Sequence, residues 1–493
     1  MSIVFRNVTL RSAVSIFPIK YKHKNNYTIT ICSTNIPKTT PSKHYSTMKE
    51  IPKTCKVAVI GAGAAGLVAA RELDRENLQI VVFDQSDNVG GTWVYDPHVE
   101  SDPLGLDPNR TVVHSSMYLS LRTNLPRELM GFLDYPFKVV EGRDCRRFPG
   151  HREVALYLEE FAAEFDLLKF IRFRTKVEYV GMGNKGQWIV RSCADKTDLK
   201  EEFYDAVVVC NGHYTQPRIA EISGIDRWPG KQMHSHNYRV PDPFQDEVVV
   251  IIGNSASGVD IAKELAGVAK EVHISARSLN STVNMTKPAD GPGKTFLHPL
   301  IESLCQDGTV SFQDGASIVA DSIIHCTGYS YHFPFLDTKG VVTINDNCVG
   351  PLYEHVFPPL LAPSLSFIGI PWKVVPFPLC ELQSKWVACT LSGNAVIPSK
   401  NYMMEVVKDL YAQNEAAGRP KHYTHNIGNN QFEYCDWLAD QCGCAHLDTW
   451  RKEMYESTSR NKVKRPLTYH DEWEDHYWRE IALSSQSKMK EHT

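Results

Sequence analysis

Short, unbroken apolar runs, each closed by a turn of small residues, set the pattern of this chain. Val57-Ala-Val-Ile60 runs into Gly61-Ala-Gly63-Ala-Ala-Gly66, and Val248-Val-Val-Ile-Ile252 runs into Gly253-Asn-Ser-Ala-Ser-Gly258. Runs of this length, rich in β-branched residues and bounded by glycine, suit buried strands. Each turn opens into a helix-like stretch, the first expected over residues 64–76. Gln79-Ile-Val-Val-Phe-Asp84 reads as a strand ending in an acid, and Glu153 to Phe165 as an amphipathic helix. Phe203 to His213 reads as one buried strand ending in a glycine turn, and Ala320 to Tyr329 as another. The fold class expected is α/β, with two dinucleotide-binding Rossmann-like domains.

The two glycine turns lie 192 residues apart. Glycines at these places let the backbone approach a pyrophosphate at a helix N-terminus. One such loop is a weak signal. Two in one chain, both between a strand and a helix, point to two dinucleotides, an arrangement suited to electron transfer from a nicotinamide to a flavin. Asp84 lies 18 residues past Gly66, near the distance at which a carboxylate meets a ribose diol. The strand after the second loop, Glu271-Val-His-Ile-Ser275-Ala-Arg277, ends without an acid. A hydroxyl and a guanidinium there suit a 2′-phosphate. The first site, with Gly61, Gly63, Gly66 and Asp84, is therefore assigned to FAD. The second, with Gly253, Ser255, Gly258, Ser275 and Arg277, is assigned to NADPH. Gly91, Thr92 and Trp93 follow a tight turn that allows close approach to a ligand, and Thr327 and Gly328 end the last apolar strand. The NADP-binding domain, 214–326, is expected to be inserted into a FAD-binding domain made of 50–213 and 327–493.

Composition narrows the classes that remain. The formal charge is −4, but residues 1–49 hold eight Lys or Arg and no acid, so the body carries −12. A body of that charge is no nucleic-acid binder on electrostatic grounds. The thirteen cysteines form no CxxC pair, and Cys442-Gly-Cys444 reads as local packing. A disulfide reductase is thereby disfavoured, no metal site is expected, and the scattered thiols suit a reducing compartment. No run reaches 18 apolar residues, so no membrane anchor is expected. The acid-free leader, 1–49, reads either as an organelle transit peptide or as sequence upstream of a start at Met48, and is expected to be disordered. The location expected is cytoplasmic, or plastid or mitochondrial if the leader is a working transit peptide. Nothing in the sequence separates a monomer from a homodimer.

Between the two loops lies Trp228-Pro-Gly230-Lys-Gln-Met-His234-Ser-His-Asn-Tyr238. This resembles the FxGxxxHxxxY signature of class B flavin-containing monooxygenases, with Trp228 in place of the phenylalanine. The related Baeyer–Villiger enzymes end that signature in Trp-Pro, whereas here Tyr238 is followed by Arg239. The segments Leu121-Arg-Thr-Asn124-Leu-Pro-Arg-Glu128, Arg146-Arg-Phe-Pro-Gly-His151, Phe357-Pro-Pro-Leu360 and Glu381-Leu-Gln-Ser-Lys-Trp386 are similar to the plant S-oxygenating branch, which acts on methylthioalkyl glucosinolates or S-alk(en)yl cysteines. The resemblance implies an NADPH- and dioxygen-dependent enzyme that converts a small thioether to its sulfoxide through a hydroperoxyflavin. It also explains why no nucleophile–base pair is visible, because the cofactor carries the hard chemistry.

Within the resemblance, Asn124 matches the family's asparagine near the flavin and Asn254 the asparagine of the second loop. Both are candidate catalytic residues. The competing readings are a turn cap for Asn124 and a helix N-cap for Asn254. Gly230, His234 and Tyr238 read as supports of the NADP domain and its hinge. Trp93 and Trp386 read equally as aromatic walls or as core. The alternatives for function are N-oxygenation of amines, an auxin-type oxidative decarboxylation, and a silent flavoprotein that only binds NADP(H).

Overall fold

Val57, Ala58, Val59, Val249, Val250 and Ile251 are all fully buried, so each of the two apolar runs must sit inside a covered sheet. The computed structural model, which describes residues 55–194, 198–277 and 294–488, places each at the centre of its own parallel sheet. The first sheet runs in the order Leu365–Phe367, Ala206–Val209, Lys56–Ile60, Gln79–Phe83, Ile171–Arg172. Its central strand pairs in parallel register with both neighbours, Val59 opposite Val82 and Val208. The second sheet runs Lys294–His298, Glu271–Ser275, Val248–Ile252, Ser322–His325, Lys231–His234, again all parallel. All its strands fall in the chain between Ala206–Val209 and Leu365–Phe367, so the chain leaves the first sheet, builds the second and returns.

The helix Ala64–Arg75 follows the first loop and Ala256–Leu265 the second, each burying one face on its sheet. Pro376–Ser392 packs along Ala64–Arg75 and carries Glu381, fully buried, against Arg71 (Nη2 to Oε1, 3.2 Å) and Lys385 (2.7 Å). Glu381 Oε2 also accepts from Leu133 N–H at 2.6 Å. The Glu381–Trp386 segment thus fixes the helix that carries the first loop. Trp386 is core, edge-on to Phe357 and Trp437.

One strand differs from expectation. Phe203 and Val207 are not in one strand: the chain breaks at Asp205, whose carboxylate accepts from Lys56 N–H at 2.8 Å. Asp198–Tyr204 instead edges a small antiparallel sheet with Thr175–Met182 and Trp188–Ala194, which leaves Phe203 half exposed at 51%. The leader lies outside the described residues.

Candidate active site

The first loop closes on itself by contacts only glycine permits. A Cβ on Gly66 would lie 1.8 Å from Gly61 O, and one on Gly61, at φ 107°, 2.5 Å from Cys210 O. Gly63 caps the helix Ala64–Arg75 with no side chain to occupy the helix N-terminus. That end is left open for an anion, which the helix dipole favours. The Gly90–Gly91 turn folds onto the loop: Gly90 N–H donates to Ala62 O at 3.1 Å, and a Cβ on Gly91 would lie 3.0 Å from Gly63 Cα. Thr92 Oγ1 is buried beside this turn and finds no partner among the described residues. A buried hydroxyl without a partner is costly unless a ligand supplies one. The site therefore fits a dinucleotide pyrophosphate. Asp84 does more than expected: one oxygen accepts from Ala62 N–H (2.6 Å) and the other from Ser86 N–H (2.8 Å), so it holds the loop and keeps lone-pair capacity for a ribose hydroxyl.

The second loop repeats this geometry. Gly258 Cβ would lie 2.0 Å from Gly253 O, and Gly253 Cβ, at φ 104°, 2.6 Å from Cys326 O. Ser255, not Asn254, is the N-cap of Ala256–Leu265, and its side chain makes no cap bond. Ser255 occupies the position of Gly63, with nearly the same backbone angles, φ −84° against −74°. In the first loop Gly91 faces that position, with its Cα 3.5 Å from where a Cβ on Gly63 would stand, so a methyl there would be in ordinary contact. Arg277 is exposed at the end of the adjacent strand. Ser275 corrects the expectation. It is 1% exposed and its hydroxyl donates to Pro299 O at 3.1 Å, so it fastens the strand end and presents no donor to a nucleotide. Thr327 is half-buried and its hydroxyl donates to Arg218 O, while Gly328 O accepts from Arg218 N–H at 3.0 Å.

The Trp228–Tyr238 signature is scaffolding. Trp228 folds its ring over Gly230, where a Cβ would lie 2.2 Å from it, and Nε1 donates to Gly308 O. His234 is fully buried, and burial first of all pushes its imidazole down to about 3. It is thus neutral, donating from Nε2 to Gly328 O (2.9 Å) and accepting at Nδ1 from His236 N–H (3.0 Å). Tyr238 donates to Glu264 at 2.7 Å.

Asn124 is exposed, on a bend between buried Thr123 and Leu125. It does not close that turn, because Thr123 does so, its hydroxyl donating to Leu125 O at 2.8 Å. Thr123 N–H donates to Pro149 O and His151 N–H to Leu121 O, which tie the bend to the helix His151–Glu164 of the first module. Just upstream, Tyr118 donates to Asp260 in the helix of the second loop (3.2 Å) and stacks edge-on to Tyr238 at 5.7 Å. Asn124 therefore sits on a segment bonded to both modules. Sequence reasoning missed a polar cluster in which Glu100, Arg110 and Ser116, upstream in the chain, meet His236 and Arg239 of the second module. Glu100 and His236 meet at 3.2 Å across 136 residues, and no local pattern announces such a pair. Among the described residues no cluster of His, Cys, Asp and Glu has the grouping of a metal site, and no helix is long and apolar enough to cross a membrane.

The chain matches the family model described as flavin-binding monooxygenase-like over residues 54–298 and 292–446. It is 57% identical over 429 residues to flavin-containing monooxygenase FMO GS-OX-like 4 of Arabidopsis thaliana, covering 85% of this chain and 94% of that one. The solved structure of S-allyl-L-cysteine S-oxygenase from Allium sativum superposes with a TM-score of 0.85 at 56% identity, covering 88% of this chain and 99% of that one. At 16% identity and a TM-score of 0.53, a complex of OTEMO with FAD and NADP shares the fold, covering 78% of this chain and 98% of that one.

Proposed function

This chain belongs to the flavin-binding monooxygenase-like family, and from that premise we propose that it S-oxygenates a small thioether of the methylthioalkyl glucosinolate or S-alk(en)yl cysteine type. It is a FAD-dependent, NADPH-consuming monooxygenase. When bound, FAD reduced by NADPH activates dioxygen, so that one oxygen atom passes to sulfur and the other leaves as water with the NADPH hydride and one proton.

The protein's own work is to bind, orient and exclude water. The open N-terminus behind Gly63, the turn at Gly91 and the buried hydroxyl of Thr92 would hold the FAD pyrophosphate, with Asp84 on its ribose and Trp93 beside it. Ser255 and the amides that follow it would hold the NADP pyrophosphate, and Arg277 its 2′-phosphate. Asn124 and Asn254 would direct amides at the reacting oxygens and the nicotinamide. The observation that carries this reading is the pair of uncapped helix N-termini, on separate sheets, with the exposed Asn124 on the segment bonded to both. The 56% identity to an S-allyl-L-cysteine S-oxygenase supports a thioether as the acceptor.

The test is product analysis with NADPH, dioxygen and either S-allyl cysteine or a methylthioalkyl glucosinolate. Sulfoxide in stoichiometric ratio to NADPH is the expected result. NADPH oxidation that yields only hydrogen peroxide with both thioethers would overturn the substrate assignment. For location, a fluorescent fusion to residues 1–49 decides between cytoplasm and organelle.

A further inference from the structure

Residues 94–121 leave the first module just after Gly91–Trp93 and rejoin it at Thr123. Between those points they are bonded to the second module. His234 N–H donates to Pro103 O (2.9 Å), Glu100 N–H to Asn237 Oδ1 (2.9 Å), and Leu119 N–H to Arg239 O (2.9 Å). Arg239, only 6% exposed, donates to the carbonyls of Asp96, His98 and Ser115. The same strap grips the two linkers that join the modules. These pair antiparallel, Gln216–Pro217 with Tyr329–Ser330. Arg110 donates to Gln216 Oε1 (3.1 Å), Ser116 donates to Tyr214 O (2.5 Å), and Gly105 packs so closely on Pro217 that a Cβ would lie 2.6 Å from its ring.

At the centre of these contacts is an unbroken polar chain. Arg110 Nε donates to Glu100 Oε2 at 2.6 Å, Glu100 Oε1 lies 3.2 Å from His236 Nε2, and His236 Nδ1 lies 2.7 Å from Ser116 Oγ. The side chains of Glu100 and His236 are fully buried. Burial pushes the Glu100 carboxyl up, but the bonds from His236 and Arg110 outweigh it and hold the group below its ordinary value. A buried carboxylate of this kind is costly to strand, so the four residues act together.

We infer that Arg110, Glu100, His236 and Ser116 form a clamp that transmits the position of the NADP-binding module to Asn124. The strap is fixed to the flavin side at both ends, near Thr92 and at Asn124, and to the other module in its middle. Movement of that module therefore pulls on the bend carrying Asn124 eight residues beyond Ser116. His236 is a positioning residue here, not a catalytic one. The order Ser–His–Glu is that of a hydrolytic triad, yet the Ser116 proton is committed to Tyr214 O, so no activated nucleophile is formed.

Hydrogen-exchange mass spectrometry on the FAD-loaded full chain, with and without NADP+, tests this. In the native protein NADP+ should slow exchange in 253–266 and, by at least about fivefold, in 114–127, the lower end of a coupling between sites. In His236→Asn the first protection should persist and the second should vanish. Ser116→Ala should behave alike, and Ser116→Thr should restore the coupling. Protection of 114–127 that survives in Ser116→Ala, or is absent in the native protein, overturns the clamp. If His236→Asn loses its flavin, Ser116→Ala alone decides, since it removes a single hydroxyl. The inference rests on NADP occupying the second loop; failure of that assignment gives a different pattern, with no protection of 253–266 in any variant.

Discussion

Gly66→Ala and Gly258→Ala impose the same injury on two loops and should produce opposite phenotypes. Each methyl would land on a carbonyl oxygen, 1.8 Å from Gly61 O in the first loop and 2.0 Å from Gly253 O in the second. Ordinary contact lies near 3.5 Å, so helix and loop must part by roughly 1.5 Å. Overpacking of this kind costs about 1–3 kcal/mol in the fold itself. The larger effect is on the ligand, because the amides at the helix N-terminus are carried away with the helix. Hydrogen bonds to a charged group contribute about 1.5–3 kcal/mol each, so two misplaced amides cost about 3–6 kcal/mol, or two to four decades in affinity. Gly66→Ala should purify colourless, its flavin content measured by absorbance after denaturation. Gly258→Ala should purify yellow, be reduced normally by dithionite, and require at least about 100-fold more NADPH for half-maximal reduction in anaerobic stopped flow. A yellow Gly66→Ala, or a Gly258→Ala with native NADPH dependence, would refute the assignment of the two loops.

Three further outcomes follow from single residues. Arg277→Ala should weaken NADPH about 10- to 100-fold, the worth of one charge-assisted bond to phosphate, and leave NADH unchanged; steady-state KM values for the two cofactors check this, and equal losses would remove Arg277 from the 2′-phosphate. Asn124→Ala should keep flavin reduction by NADPH within about twofold while sulfoxide formation falls by about 10²-fold and hydrogen peroxide takes its place, as when one preorganised donor is deleted; unchanged sulfoxide yield would make Asn124 a bystander. Burial raises the Glu354 carboxyl to about 7. A raised acid contributes its full stability below the unfolded value and loses it as pH rises through the folded one, so Glu354→Gln should match the native protein near pH 4.5 and exceed it by about 2–3 kcal/mol above pH 7. Urea unfolding at both pH values measures the difference, and a gap independent of pH would show that Glu354 is not ionising in place.

The two glycine loops were legible because their geometry is local. Strand, glycine turn and helix N-terminus lie within a dozen residues, and the backbone alone makes the site. The same locality explains the error at Phe203: an apolar run records burial but not which sheet buries it, and Asp205 breaks the run only because it reaches Lys56, 149 residues away. Ser275 shows the converse limit. Its place at the strand end was right, but which way a hydroxyl turns depends on Pro299, across a neighbouring strand. The signature residues His234 and Tyr238 act as supports through their bonds to Gly328 and Glu264, a role that needs only their place in the motif to be expected. The clamp lay beyond reach, since Glu100 carries no motif, His236 stands at an unspecified position of one, and the two become partners only when the strap crosses the hinge. Arg239 makes the same point from inside a motif. Its presence after Tyr238 served to separate two branches of a family, and its physical role is to sew three carbonyls of a distant strap to the second module.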